Sequence, residues 1–190
     1  YELGTRGADA VPALAQALGS EDAATARNAT YPFNQLGEAA VPALVELTQA
    51  DDERMRARAF DVLGDMGTLA KGASQAILDG LSDSEDDPRR RAAEALGTID
   101  QNDSSFTDPL ADLVANDPSG MVRRNAAMSL ARLGSNAVDA IPTLASGMLD
   151  PNHYVRGYSV HALSRIGTPE AAQAAFKPVS YTHLTLPTSN

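Results

Sequence analysis

The chain has 190 residues, 43% hydrophobic but only 5% aromatic and without tryptophan, a composition that suits an alanine- and leucine-rich helical array better than a domain closed around one large core. Its formal net charge is −10, from 25 acidic and 15 basic side chains, and a field of that sign works against nucleic-acid and anionic-membrane partners. No cysteine is present, which removes disulfides, thiolate chemistry and cysteine metal sites, and no run of about 18 apolar residues exists to cross a bilayer. The expectation is a soluble protein without membrane contact from this chain, the cytoplasm slightly favoured.

Taken in order, the chain repeats one phrase. Related endings fall at Gly4 (YELG), Gly37 (FNQLG), Gly67 (VLGDMG), Asp100 (ALGTID), Gly134 (ARLG) and Gly167 (SRIG), at steps of 33, 30, 33, 34 and 33 residues. A period of this size is the mark of stacked repeats. The first half of each unit carries A-V-P-A-L at Ala10 to Leu14 and Ala40 to Leu44, A-I-P-T-L at Ala140 to Leu144, and D-P-L at Asp108 to Leu110. Proline opens a helix well, because in the first turn its missing N–H is not needed and its fixed φ already suits the bend. Leucine or methionine follows at helical spacing, so each opening predicts a short amphipathic helix.

The second half has tighter columns. Eleven residues before the ending stands Arg56, Arg89, Arg123 or Arg156, while the first full unit has Ala26 there with Arg27 beside it. Apolar or small residues at twelve, eight, five, four and one before the ending, such as Val155, Ser159, Ala162, Leu163 and Ile166, make one buried helical face. Each unit is therefore predicted to be a helical hairpin, and the fold an all-α, right-handed α-solenoid of antiparallel hairpins. Irregularities are expected at the third unit, which opens GASQAIL without proline, at the QNDSSFTD insertion after Asp100, and at Pro32, which is expected to kink or shorten its helix.

These columns resemble the HEAT-repeat family, in the short-unit form also found in phycobilisome lyases. The carriers are the A-V/I-P-x-L openings, the aspartate six residues before arginine (Asp83 and Arg89, Asp117 and Arg123, Asp150 and Arg156) and the L-G or I-G endings, over Ala8 to Lys177. The resemblance implies that these arginines and aspartates stack from repeat to repeat as a ladder. It also implies a scaffold that binds something on its concave side, since the family hosts adaptors, transport factors and a few enzymes.

Both ends read as cuts. YELG is the tail of a unit whose beginning is missing, and Thr168 to Lys177 starts another first helix, with Thr168 as a helix N-cap and Pro169 at its first position. Residues 1–177 are read as the array and 178–190 as a non-native or disordered tail. Within it, Val179 to Thr188 resembles the in-frame translation of a transposon-end sequencing adapter, so His183 is left out of any site.

Catalytic and cofactor chemistry finds no support. The acidic stretch from Ser82 to Asp87 lacks the ligand alternation, central glycine and terminal glutamate of an EF-hand. His153 and His161 are two helical turns apart, roughly 12 Å, too far to share one metal ion. No G-x-S-x-G, G-x-x-x-x-G-K or G-x-G-x-x-G occurs. No catalytic residue, metal or cofactor is assigned.

Surface remains. The buried columns leave an outward stripe at nine, six and two residues before each ending: Asn28, Tyr31 and Gln35; Arg58, Asp61 and Asp65; Arg91, Glu94 and Thr98; Asn125, Met128 and Arg132; Tyr158, His161 and Arg165. Such a stripe is polar on any solvated helix. Its early part is nevertheless acidic after Arg58, whereas Arg124, Met128, Arg132, Tyr158, His161 and Arg165 combine cations with residue types enriched at interfaces. These six are the expected partner-binding residues, for an acidic protein segment. The reading is a non-enzymatic scaffold or adaptor; the alternative implied by the family is a phycobilin-lyase-like enzyme or accessory subunit handling a tetrapyrrole and its carrier protein.

Overall fold

In the computed structural model of the chain, which describes residues 10–176, Val11–Leu18 forms α1 and Ala23–Leu36 forms α2. The pair recurs as α3 (Val41–Leu47) and α4 (Glu53–Met66), α5 (Ser74–Gly80) and α6 (Asp86–Ile99), α7 (Thr107–Asn116) and α8 (Gly120–Leu133), and α9 (Ile141–Gly147) and α10 (His153–Ile166); α11 (Pro169–Phe176) follows. No strand occurs among the described residues. The Gly4 ending, Lys177 and the adapter-like tail lie outside them. The helices fall into two compact units, α1 to α6 ending at Asp100 and α7 to α11 starting after it.

Local causes set each boundary. Proline is the second residue of α1, α3 and α9, one place later than its sequence signature suggests, and the helix begins in the same column in α5, where serine and glutamine replace the valine and proline. What fixes the start is therefore the stacked environment. Every second helix in the five hairpins is 14 residues long, including α2, which runs through Pro32 without shortening. Asp22, Asp52 and Asn152 cap three of them, accepting from Thr25 N at 2.9 Å, Arg54 N at 2.8 Å and Tyr154 N at 2.9 Å. Thr168 Oγ1 accepts from Ala171 N at 3.1 Å at the start of α11, the N-cap expected there.

Four of the five endings are glycines with φ between 56° and 71°, a left-handed backbone that a β-carbon disfavours. Asp100 departs from this pattern. It takes an extended conformation instead, and the chain proceeds through a 3-10 turn at Ser104–Phe106 whose phenylalanine is buried. The expected insertion is thus a reworked helix end, which places an aromatic anchor where the second unit begins.

The core follows the predicted columns. In α8 the residues Val122, Ala126, Leu130 and Leu133 are buried, in α6 Ala92, Ala95, Leu96 and Ile99, and in α10 Val155, Ala162, Leu163 and Ile166. Each buried leucine contributes about 1.5–3 kcal/mol relative to exposure. Within their units α4 packs along α6 and α8 along α10, whereas α2 meets α4 over only a few residues.

The arginine column is a ladder. Arg123 Nη1 donates to its own loop's carbonyls at Asp117 (2.9 Å) and Pro118 (3.2 Å), while Nε and Nη2 donate to the Asp150 carboxylate of the next loop at 2.7 and 3.0 Å. Arg56 does the same, holding Ala50 O (2.9 Å) and Asp51 O (3.0 Å) and forking onto Asp83 at 2.6 and 2.8 Å. Arg89 and Arg156 grip their own loops identically, through the carbonyls of Asp83 and Ser84 and of Asp150 and Pro151. Asp83 and Asp150 also accept the backbone N–H two residues on, so each loop carboxylate is used three times. With the side chains of both cross-loop pairs no more than 14% exposed, these bidentate contacts are shielded from competing water.

Candidate functional site

The predicted interaction residues lie in the second unit on two adjacent helices. Arg124, Met128 and Arg132 follow one another at four-residue spacing along α8 and are all half-buried. On α10, Tyr158 is half-buried and His161 and Arg165 are exposed. Helical spacing puts each trio on one face, and α8 packs along α10.

One contact joins the two trios directly. The Arg124 guanidinium carbon lies 5.5 Å from the ring centre of Tyr154 and 5.7 Å from that of Tyr158, two rings one helical turn apart on α10. A cation between two aromatic faces is held by their quadrupoles, and Arg124 Nε is buried with no hydrogen-bond partner. The rings, not a carboxylate, hold this arginine. Tyr154 is itself 53% exposed and carries the His153 ring at 3.9 Å between centroids. The sequence reading missed Tyr154; its place four residues before Tyr158 is the signal that could have found it. Met128 and Arg132 share the α8 face with Arg124, and His161 and Arg165 share the α10 face with Tyr158.

The stripe also departs from expectation. Asn125, expected to point outward, is 2% exposed. In the first unit, Thr98 turns its hydroxyl back to the Gly64 carbonyl on α4 at 2.9 Å. Arg58 Nη1 is spent on the carbonyls of Leu18 and Ser20 at the end of α1, at 2.6 and 2.7 Å, and Arg91 pairs with Asp61. Much of the early stripe thus serves to tie hairpins together.

The first unit nevertheless holds a cavity of about 480 Å³, lined by α2, α4 and α6. Burial raises the Asp61 carboxyl above its ordinary range even though Arg91 opposes the shift, and burial followed by repulsion from Glu94 raises Asp65. By contrast, the hydrogen bonds from Arg56 and Arg123 hold the ladder carboxyls of Asp83 and Asp150 below it.

A family profile described as HEAT repeats matches residues 11–97 and 107–177. The chain belongs to the HEAT-repeat family. The break in that match, residues 98–106, coincides with the Asp100 ending and its 3-10 turn. No curated protein matches these HEAT repeats. Among solved structures, the complex of CpcE and CpcF of phycocyanin lyase from Nostoc sp. PCC7120 is similar at 24% identity and a TM-score of 0.70, covering 81% of this chain and 98% of that one. A designed armadillo repeat protein in complex with the peptide (KR)4 is similar at 20% identity and a TM-score of 0.67, covering 92% and 93%. An engineered protein reaches the same TM-score at 19% identity, covering 90% and 85%. Likeness at this identity establishes the helical-repeat fold. No helix among the described residues is long and apolar enough to cross a membrane.

Proposed function

We propose that this HEAT-repeat chain is a protein-binding scaffold or adaptor and that it receives an acidic segment on the α8–α10 face, through Arg124, Met128, Arg132, Tyr158, His161 and Arg165. The observation that carries the reading is the guanidinium of Arg124 held between Tyr154 and Tyr158. It is a preorganised cation with no ion pair among the described residues, flanked by rings that can bury apolar area. A carboxylate arriving there gains charge-assisted hydrogen bonds without first having to order the arginine.

The test is fluorescence anisotropy of a labelled octaglutamate peptide against the whole chain. Binding should weaken as salt rises, Tyr158→Ala should reduce it by about 1–2 kcal/mol, and Arg165→Glu should reduce it more at low salt than at high salt. If both variants bind like the parent while changes at Asp61 and Asp65 abolish binding, the surface is in the first unit and this assignment fails.

A second reading, a lyase-like or accessory subunit handling a tetrapyrrole, draws its support from the likeness to the phycocyanin lyase complex. Mixing the chain with a bilin and recording its visible absorption decides it: a saturable spectral change favours this reading, and an unchanged spectrum removes it.

A further inference from the structure

The cavity of the first unit has a cause in the sequence. Between α4 and α6 the faces close: Ala95 of α6 lies against Gly64 of α4, the Thr98 hydroxyl donates to the Gly64 carbonyl, and Arg91 pairs with Asp61. The face that α2 turns to the cavity is Ala23, Ala26, Arg27 and Thr30. The ladder is missing here too, since Ala26 occupies the arginine column. With mostly small side chains on that face and no ladder rung reaching across, α2 meets α4 over only a few residues and the space between them stays open.

The lining of that space is chemically divided. Leu18, Ala26 and Ala57 supply a buried apolar lining. Arg27 and Thr30 stand on α2, Asp61 and Asp65 on α4, and Asp87 and Arg91 on α6. Most of these charges are committed: Arg91 to Asp61, with Asp87 3.6 Å from its Nε, Arg54 to Asp52, and Arg58 to backbone carbonyls. Asp65 and Arg27 have no ion pair among the described residues. Asp65 lies one turn from Asp61, on the same face of α4, and is additionally repelled by Glu94.

The geometry points to a docking groove for a basic segment of a partner protein, with a lysine or arginine side chain reaching Asp65 and Asp61 and its stem lying over Ala57 and Ala26. An incoming cation relieves the carboxylate repulsion, and an aliphatic stem suits an alanine-lined cleft. Arg27 on the opposite wall can donate to the segment's backbone carbonyls. This site shares no residue with the α8–α10 face, so either assignment can fail alone.

The test is NMR titration of the isotopically labelled whole chain with the blocked peptide Gly-Ala-Arg-Ala-Gly, the same peptide with glutamate replacing arginine, and spermidine. The arginine peptide should shift the amides of Ala57, Asp61 and Asp65 saturably and the glutamate peptide should not. Asp65→Asn should weaken binding about two- to fivefold, the range of an exposed ion pair. Thr30→Tyr, which fills the groove from a half-buried position, should abolish it while the amide spectrum of the second unit stays unchanged. Equal binding by Asp65→Asn, shifts confined to other residues, or equal shifts with the glutamate peptide would each overturn the proposal. Spermidine shifting the same amides as strongly as the peptide would reduce the groove to general polycation attraction and overturn it as well.

Discussion

The two units are built from the same columns and present opposite chemistry. From residue 10 to 100 there are sixteen carboxylates and eight cations; from 101 to 176 there are seven and five, so most of the acidity belongs to the first unit. Its α2, α4 and α6 surround a cleft with Asp61 and Asp65 on one wall, while α8 and α10 close tightly and display an arginine clasped by tyrosines. Stacking dictates the columns at twelve, eight, five, four and one before each ending. It leaves the columns at nine, six and two less constrained, and there the units diverge.

If the buried columns are equivalent, they should break alike. Leu96→Ala in the first unit and Leu130→Ala in the second remove side chains with no exposed surface, and each should cost about 2–5 kcal/mol in denaturant unfolding. A loss much smaller in one unit would mean that its helices collapse around the gap and that the equivalence is only formal.

The ladder should come next. Asp83→Ala and Asp150→Ala each strand an arginine that is no more than 14% exposed, at a cost of about 2–4 kcal/mol, somewhat below the range for a fully buried pair. Its pH signature has a definite sign. Because both carboxyls are lowered by their arginines, their contribution is fully present above the ordinary carboxylate value of about 3.9 and is lost as pH falls below it. Asp83→Asn and Asp150→Asn should flatten that acid limb in a stability-versus-pH series, and an unchanged limb would assign acid unfolding to other groups.

The helix endings offer a smaller contrast. Gly134→Ala places a β-carbon at φ 56° and should cost about 1–2 kcal/mol, whereas Asp100→Gly, at an extended ending, should cost about 0.5–1 kcal/mol through loss of the ion pair with Lys71. Thermal unfolding of both variants shows whether the second ending has escaped the glycine requirement. Tyr158→Ala, at a half-buried site, should cost about 0.5–1 kcal/mol through the lost cation–π contact with Arg124, and its larger effect should appear in the acidic-peptide assay.

Much of this was legible in the residues. The hairpins, their buried columns and the helix endings follow from periodicity alone, because stacking imposes one pattern on every repeat. Spacing showed the aspartate and arginine columns, but their stacking as a ladder was expected only through family likeness, since pairing between repeats leaves no mark within one. Pro32 was expected to shorten or kink a helix, and the helix keeps its full 14 residues. Asn125 was placed outside by helical spacing, and residue type does not show how far neighbouring structure overhangs it. The clasp of Arg124 escaped because it joins residues 30 and 34 positions apart in sequence, on a face where no column repeats it.

In the ladder, Arg56 reaches Asp83 and Arg123 reaches Asp150, each 27 residues ahead and short of one full repeat. In each of these two pairs one hairpin gives a cation forward and the next offers a carboxylate backward. A duplicated hairpin that carries both residues, inserted beside one of these pairs, arrives with both halves of the connection. A point substitution has the opposite reach, because losing one aspartate loosens its own loop and releases the preceding hairpin as well. The same residue pair that makes the array easy to lengthen by copying makes it costly to alter one letter at a time.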